Sequence, residues 1–189
     1  MNIFVHEMIE KKQILDKRKI AIIVERLVQQ LIENHQDFSN TVLVGVQPRG
    51  IFLAARIVTQ LKKRIKDNNI KYGNLDIAFY RDDFRRREHP IVPQEIDMNF
   101  SVEGKRVVLI DDVLYTGRSI RSAIDALMAL GRPQSVELLT LIDRRYSREL
   151  PIQPNYVGKK VDTIEAEKVI VQWKETEGED KVIMLKSEE

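Results

Sequence analysis

The sequence predicts an α/β fold, in which a mostly parallel central sheet is flanked by helices and followed by a small hood and a C-terminal β-hairpin. Short apolar runs alternate with longer stretches of helical periodicity, which is typical of parallel sheets covered on both faces. The polar segments that follow the apolar runs carry glycines, prolines and paired carboxylates. Because ligands of such sheets bind at the carboxyl ends of the strands, we expect the functional residues in these segments.

The length of 189 residues suits a single domain over 1–189, with a core at about 15–142 and the hood and hairpin at about 143–189. The net charge is only +2, so the whole chain is not a polycation of the kind that binds nucleic acid. The absence of cysteine excludes disulfides and thiolate metal sites. No apolar run approaches the length of a membrane span and the first residues do not form a signal peptide, so we expect a cytoplasmic protein with no membrane partner.

The first half of the chain predicts helices and strands after a short N-terminal arm or strand. Apolar residues recur at helical spacing from Ile20 to Leu31, and Asp16 precedes them as a plausible N-cap, so a helix is predicted over 16–36. The next predicted elements are a strand at 41–46, a helix at 51–66 and a strand at 75–80.

The second half begins with a polar segment at 81–100, which we predict to be a long functional loop. After it we predict, in order, a buried strand at 107–111, a helix at 118–130, a strand at 135–142, a loop-rich segment at 143–165 and a hairpin formed by 168–173 and 181–185.

The strongest functional signal is the carboxylate pair Asp111 and Asp112, which directly follows four apolar residues. Carboxylates in such places often only cap helices or end strands, but here a Thr-Gly-Arg-Ser loop and a helix start follow them. A carboxylate pair can accept hydrogen bonds from two vicinal ribose hydroxyls. It also places negative charge beside a sugar ring that becomes cationic during glycosyl transfer.

The loop after these carboxylates predicts a phosphate site. Gly117 allows the backbone to approach phosphate oxygens, and the hydroxyls of Thr116 and Ser119 are further donors. The start of the next helix adds free N–H groups and the positive end of the helix dipole. The alternative is a polar loop with a serine cap. The chain lacks the Gly-Lys-Ser/Thr of a Walker A loop, which disfavours ATP hydrolysis.

Two other segments carry weaker signals. The turn 47–50 contains Pro48, which permits a cis peptide bond, and Arg49, which is suited to meet a pyrophosphate. The segment 80–89 contains the basic run 85–87. That run is either a solvated loop or part of a basic lid that closes over polyphosphate and excludes water.

Residues 107–119 resemble the signature of the type I phosphoribosyltransferases, which bind 5-phosphoribosyl-1-pyrophosphate (PRPP). Within that class the chain is most similar to the PyrR family of pyrimidine-operon attenuators with uracil phosphoribosyltransferase activity. The likeness runs from about Leu15 to Lys186 and is carried by the segments 49–50, 80–83, 111–127, 131–133, 148–152 and 156–159.

The resemblance implies an enzyme that converts uracil and PRPP to UMP and pyrophosphate, in a homo-oligomer. Asp111 and Asp112 would bind the ribose hydroxyls, with Mg2+ nearby and held mainly by substrate oxygens and water. The other implied sites are Tyr115, Thr116, Gly117, Arg118 and Ser119 for the 5′-phosphate, Gln47, Pro48, Arg49 and Gly50 for pyrophosphate, Arg81, Asp82 and Asp83 for a lid, and Leu114, Asp143 and Arg144 for the base.

The chain departs from the family at places that bear on base and RNA recognition. Related purine-transferring enzymes typically carry aspartate where this chain has Tyr115, which favours uracil. The family usually reads Asp-Arg-Gly-His-Arg-Glu-Leu-Pro in the hood, whereas the segment 143–151 is one residue longer and lacks the glycine and the histidine. Gln29 stands where the first helix of the family often has histidine.

Two alternatives to the uracil transferase stay open. One is an RNA-binding attenuator that responds to UMP or UTP, with Arg145 and Arg148 as candidate RNA contacts. The other is a purine or xanthine phosphoribosyltransferase.

Overall fold

The computed structural model of the protein describes residues 8–66, 70–80, 97–163 and 167–187. Its elements are, in order, β1 (Met8–Leu15), α1 (Lys17–His35), β2 (Thr41–Val46), α2 (Gly50–Ile65), β3 (Lys71–Leu75), a 3-10 turn (Ala78–Tyr80), β4 (Arg106–Leu114), α3 (Arg118–Ala129), β5 (Ser135–Arg145), β6 (Tyr156–Asp162), β7 (Glu167–Gln172), α4 (Lys174–Glu177) and β8 (Lys181–Ser187).

The strands form two sheets. Five strands form a parallel sheet in the order β3-β2-β4-β5-β6, and β1, β8 and β7 form a separate antiparallel sheet. The parallel sheet flanked by helices and the C-terminal hairpin confirm the predicted fold class. No helix in the described part of the chain is both long and apolar enough to cross a lipid bilayer.

Alternating side chains of the central strands divide the apolar core into two clusters. Val108 and Ile110 of β4 join a cluster with α1, α2 and the small sheet, while Val107 and Leu109 join a cluster with α3. This division follows from the pleat of a strand, which directs successive side chains to opposite faces. It explains why β4 is apolar at every position from 107 to 110.

The prediction of a strand at 75–80 is wrong. The strand lies at Lys71–Leu75, where it pairs in parallel with β2. The Asp76 side chain then accepts the N–H of Ala78 at 2.8 Å and turns the chain into the 3-10 turn. An aspartate that bonds the backbone two residues ahead is a turn former, and it outweighs the apolar pattern that follows.

The strands around the predicted hood are longer than the sequence indicated. The strand predicted at 107–111 extends to Leu114, so Asp111 and Asp112 lie inside β4. β5 extends to Arg145, and the segment predicted to be loop-rich contains β6, which pairs in parallel with β5. The periodicity of β6 is weak because it is an edge strand with exposed lysines.

Gly50 lets the start of α2 touch β4. A Cβ atom at Gly50 would lie 2.4 Å from the carbonyl oxygen of Ile110 and 2.9 Å from Cα of Asp111. Any larger side chain would therefore push the helix start away from the strand that carries the aspartates.

A buried polar cluster lies near the amino ends of the strands, away from the predicted functional loops. The His35 ring bonds the Thr41 hydroxyl through Nδ1 at 3.0 Å and the Tyr156 hydroxyl through Nε2 at 3.1 Å. The Glu137 carboxylate lies 3.3 Å from Nε2. Burial lowers the pKa of His35, although Glu137 favours its charged form, and Arg106 adds to the lowering.

We predict that Gly50→Ala destabilises the fold by about 1–3 kcal/mol, because the new methyl group overlaps β4. Urea unfolding followed by circular dichroism measures this change. Ala55→Ser adds one atom on an exposed position of the same helix and should stay within about 0.5 kcal/mol of the wild type. A Gly50→Ala variant as stable as the control would contradict the close packing.

We predict that His35 makes the protein less stable in mild acid. Its pKa is lower in the folded chain than the ordinary value of 6.5, so below that pH the unfolded chain binds more protons. Stability therefore falls as the pH drops from about 6.5 toward the folded pKa. His35→Gln should lose less free energy of unfolding between about pH 7 and about pH 5.5 than the wild type does. Equal losses in both proteins would refute this role of His35.

Candidate active site

The two aspartates of β4 are buried and have different surroundings. Asp111 is 9% exposed and Asp112 is 7% exposed. Asp111 Oδ1 accepts the backbone N–H of Asp112 at 2.9 Å, and Asp112 Oδ2 accepts the Nε–H of Arg49 at 3.3 Å. Burial raises the pKa of Asp112, and the Arg49 guanidinium opposes that shift. The two carboxylates thus form a partly desolvated acidic surface, which we call the ledge. The Arg49 guanidinium contacts this ledge at Asp112.

The loop between β4 and α3 forms a cup beside Asp111. The cup has a volume of about 70 Å³, and its lining residues are Asp111, Val113, Leu114, Tyr115, Thr116, Gly117, Ser119 and Ile120. Gly117 has φ +94° and is the N-cap of α3, and the Thr116 hydroxyl oxygen accepts the N–H of Arg118, the first residue of the helix, at 3.3 Å. A left-handed residue at this place favours glycine, and the positive end of the α3 dipole suits an anion.

Residues 148–150 of the hood, the segment that follows β5, bond the carbonyl oxygens of this loop. The N–H groups of Glu149 and Leu150 both donate to the carbonyl oxygen of Thr116, at 3.0 Å and 3.2 Å. Arg148 donates to the carbonyl oxygen of Tyr115 through Nη1 and to Asp143 Oδ1 through Nη2, the latter at 2.5 Å. These contacts fix the loop through its carbonyl groups.

The residues assigned to the base pocket are buried. Asp143 is 5% exposed and bonds Arg148, and Leu114 is 1% exposed. The Arg144 guanidinium lies 3.8 Å from the centre of the Tyr115 ring and donates to Thr163 Oγ1 at 2.9 Å. Burial lowers the pKa of Arg144. These contacts make Arg144 a support beneath Tyr115.

The turn before α2 brings Arg49 to the aspartates. The peptide bond between Gln47 and Pro48 is cis, and the N–H of Gln47 donates to the carbonyl oxygen of Leu75 at 3.0 Å. Arg49 contacts Asp112 on one side and Glu177 Oε1, at 2.9 Å, on the other. The turn 47–50 and the ledge therefore belong to one site.

The candidate RNA contacts are both engaged with acidic side chains. Arg145 is half-exposed and donates to both carboxylate oxygens of Asp162, at 2.6 Å and 2.7 Å. Arg148 is mostly buried in the contacts with Asp143 and Tyr115. The lid residues Arg81, Asp82 and Asp83 and the run 85–87 lie outside the described residues.

Sequence reasoning missed two parts of the site. The backbone bonds from Glu149 and Leu150 to Thr116 could not be predicted, because nearly every residue type has the same main-chain N–H donor. Glu177 lies in the acidic turn Glu-Thr-Glu-Gly-Glu-Asp, which has the composition of an ordinary solvated turn.

The donor set fits a magnesium ion bound mostly through a substrate. In the described part of the chain, no three His, Asp or Glu side chains cluster in a way that would hold a metal by themselves. The aspartate pair supplies the hard oxygen ligands that Mg2+ prefers, and this ion usually keeps several waters and substrate oxygens in its shell.

Comparisons with known proteins identify the family of the chain. Residues 10–176 match the family described as the phosphoribosyl transferase domain. The bifunctional protein PyrR of Pelotomaculum thermopropionicum is 46% identical over 180 residues, which cover 95% of this chain and 98% of that protein. The protein of the same name from Bacillus subtilis is 39% identical over 182 residues, with 95% and 99% covered.

Solved structures match the fold over nearly the whole chain. The hypoxanthine phosphoribosyltransferase of Staphylococcus aureus superposes with a TM-score of 0.69 at 22% identity and covers 100% of this chain and 98% of that one. The hypoxanthine phosphoribosyltransferase of Trypanosoma cruzi gives a TM-score of 0.70 at 17% identity, with 94% and 97% covered. The resemblance drawn from the sequence is confirmed: the chain belongs to the phosphoribosyltransferase family and, within it, to the PyrR proteins.

Proposed function

We propose that the protein transfers the 5-phosphoribosyl group of PRPP to N1 of uracil, giving UMP and pyrophosphate. The observation that carries this proposal is the juxtaposition of the buried Asp111 with the cup at the start of α3. A ribose 5-phosphate has hydroxyls at one end and an anion at the other. An acidic ledge beside an anion cup matches both ends.

In this proposal each part of the site holds one part of the donor. Asp111 and Asp112 accept the ribose hydroxyls, and the loop 115–119 binds the 5′-phosphate. The turn 47–50 binds the pyrophosphate, for which Arg49 is the cation. Mg2+, when bound to the donor, supplies charge that eases the departure of pyrophosphate.

The chain contributes to the reaction by positioning and by electrostatics. As the bond to pyrophosphate breaks, positive charge develops on the ribose ring, and the nearby carboxylates stabilise it. The carboxylates are already buried and their neighbours fixed, so little reorganisation is needed during the reaction. The proton of the uracil N–H leaves to water or to a neighbouring oxygen, without a dedicated base from the described residues.

Uracil as the acceptor rests on Tyr115 and its support. The ring of Tyr115 is stacked on Arg144 and its carbonyl oxygen is bonded by Arg148. A fixed aromatic ring at this position offers no carboxylate to a purine ring nitrogen. It leaves a flat apolar surface beside the place where a small base would bind.

We predict that Asp111→Asn combined with Asp112→Asn lowers kcat/KM for UMP formation at least about 100-fold, because both negative charges beside the ribose are lost. The assay contains PRPP, Mg2+ and uracil, and circular dichroism tests that the fold persists. Asp125→Asn, which changes a carboxylate paired with Arg121 on the exposed side of α3, is the matched control and should keep full activity. Wild-type turnover in the double variant would remove the carboxylates from the mechanism.

We predict that the wild type forms a nucleotide with uracil and not with hypoxanthine, guanine or xanthine. Each base is incubated separately with PRPP and Mg2+, and the product is identified by chromatography. A purine nucleotide formed faster than UMP would overturn the assignment of the base while leaving the transferase class intact.

A second candidate function is an RNA-binding attenuator that responds to UMP or UTP. Its support is the name of the curated relatives, which are bifunctional proteins. If this function is present, a structured leader RNA from pyrimidine genes should bind more tightly than a scrambled RNA, with a strong salt dependence and an effect of UMP. Arg145→Ala is the better probe, because Arg148 also supports Tyr115. Equal affinity for the two RNAs would exclude the attenuator.

A further inference from the structure

The connection between β7 and β8 reaches the candidate active site through Glu177 of α4. Trp173 precedes the short helix α4 and is fully buried in the core, which anchors this end of the sheet. Glu177 Oε2 accepts the backbone N–H of Trp173 at 2.8 Å, and the hydroxyl of Thr176 donates to the same oxygen. The carboxylate of Glu177 is therefore held in place before it meets any group of the site.

Glu177 and the backbone of β7 bind the guanidinium group of Arg49. A guanidinium has five N–H donors. Arg49 gives Nε–H to Asp112 Oδ2 at 3.3 Å, one N–H of Nη1 to Glu177 Oε1 at 2.9 Å and one N–H of Nη2 to the carbonyl oxygen of Val171. Within the described residues this leaves one N–H on each terminal nitrogen. The side chain is 34% exposed, so these two donors remain open to a ligand.

We propose that Glu177 is a positioning residue of the active site, which fixes the Arg49 guanidinium for the pyrophosphate end of the donor. The proposal rests on the proposed function, in which Arg49 binds pyrophosphate. A long arginine side chain that moves freely would lose its rotamer freedom when the donor binds. A side chain that three acceptors already hold has lost this rotamer freedom before the donor binds, so binding costs less conformational entropy.

The charges of the cluster agree with this role. The hydrogen bond from Arg49 is the main cause that lowers the pKa of Glu177 to about 2, so the carboxylate is ionised at neutral pH. Glu177 in turn raises the pKa of Arg49 against the effect of burial. Two carboxylates on one guanidinium hold it firmly, while its two remaining N–H groups still suit a polyanion.

The test compares Glu177→Gln with Glu175→Gln. Glu175 lies on the same short helix and pairs with Arg56 at 2.9 Å, so its variant loses a similar ion pair without touching Arg49. For Glu177→Gln we expect the KM for PRPP and the Kd for PRPP with Mg2+, measured by titration calorimetry, to rise roughly 3- to 10-fold. The KM for uracil and the melting temperature should stay near those of Glu175→Gln. Equal PRPP binding in the two variants would overturn the proposal.

A double-mutant cycle separates positioning from a merely structural role. Arg49→Ala should weaken PRPP binding, and adding Glu177→Gln to it should weaken binding no further, because Glu177 acts through Arg49. The proposal fails if Arg49→Ala binds PRPP normally, or if Glu177→Gln has its full effect without Arg49.

The same measurements distinguish this proposal from the proposed function. If the wild type makes no UMP but the PRPP cycle is non-additive, the base assignment fails and the role of Glu177 stands. If the wild type makes UMP and Glu177→Gln binds PRPP as tightly as the wild type, the function stands and the role of Glu177 fails.

Discussion

The contacts of the Arg49 guanidinium, among them its ion pair with Asp112, join three parts of the chain that are far apart in sequence. Asp112 lies in the central strand β4 and Arg49 in the turn before α2, while the C-terminal part adds Glu177 of α4 and the carbonyl oxygen of Val171 of β7. A carboxylate that is 7% exposed is costly to bury without a partner. The energetics of the site and the docking of the small sheet are therefore linked, although among the residues that the structure describes no strand of one sheet pairs with a strand of the other.

The phosphate loop shows how backbone polarity can be divided between protein and ligand. The hood bonds the carbonyl oxygens of Tyr115 and Thr116, and the first residues of α3 line the cup with the positive end of the helix dipole. Asp111 contributes the opposite sign of charge to the same small cup. A ligand with an anionic end and a hydroxyl-bearing end matches this arrangement, whereas a ligand of uniform polarity would leave one side unsatisfied. The shape of the cup thus depends on the hood as much as on the loop itself.

Periodicity predicted the fold well where burial controls it. The strand at 41–46, the helices and the apolar approach to Asp111 follow from side chains that face one core or the other. It failed at the sheet edges. β6 was missed because edge strands keep polar residues. The glycine in this strand, Gly158, is explained by packing, because a Cβ atom added there would lie 2.4 Å from the carbonyl oxygen of Leu141. β3 was misplaced because a local turn at Asp76 overrides an apolar pattern.

The sequence by itself determined the class of fold, the acidic pair Asp111–Asp112 and the glycine-containing loop after it, because these depend on local residue types and spacing. Only the tertiary structure decided which partners complete the site. Glu177 reaches Arg49 across 128 positions of the chain, and the backbone of Glu149 and Leu150 reaches Thr116. Such contacts depend on how separate elements pack, and a main-chain donor or an acidic turn residue looks the same in sequence whether or not it reaches another element.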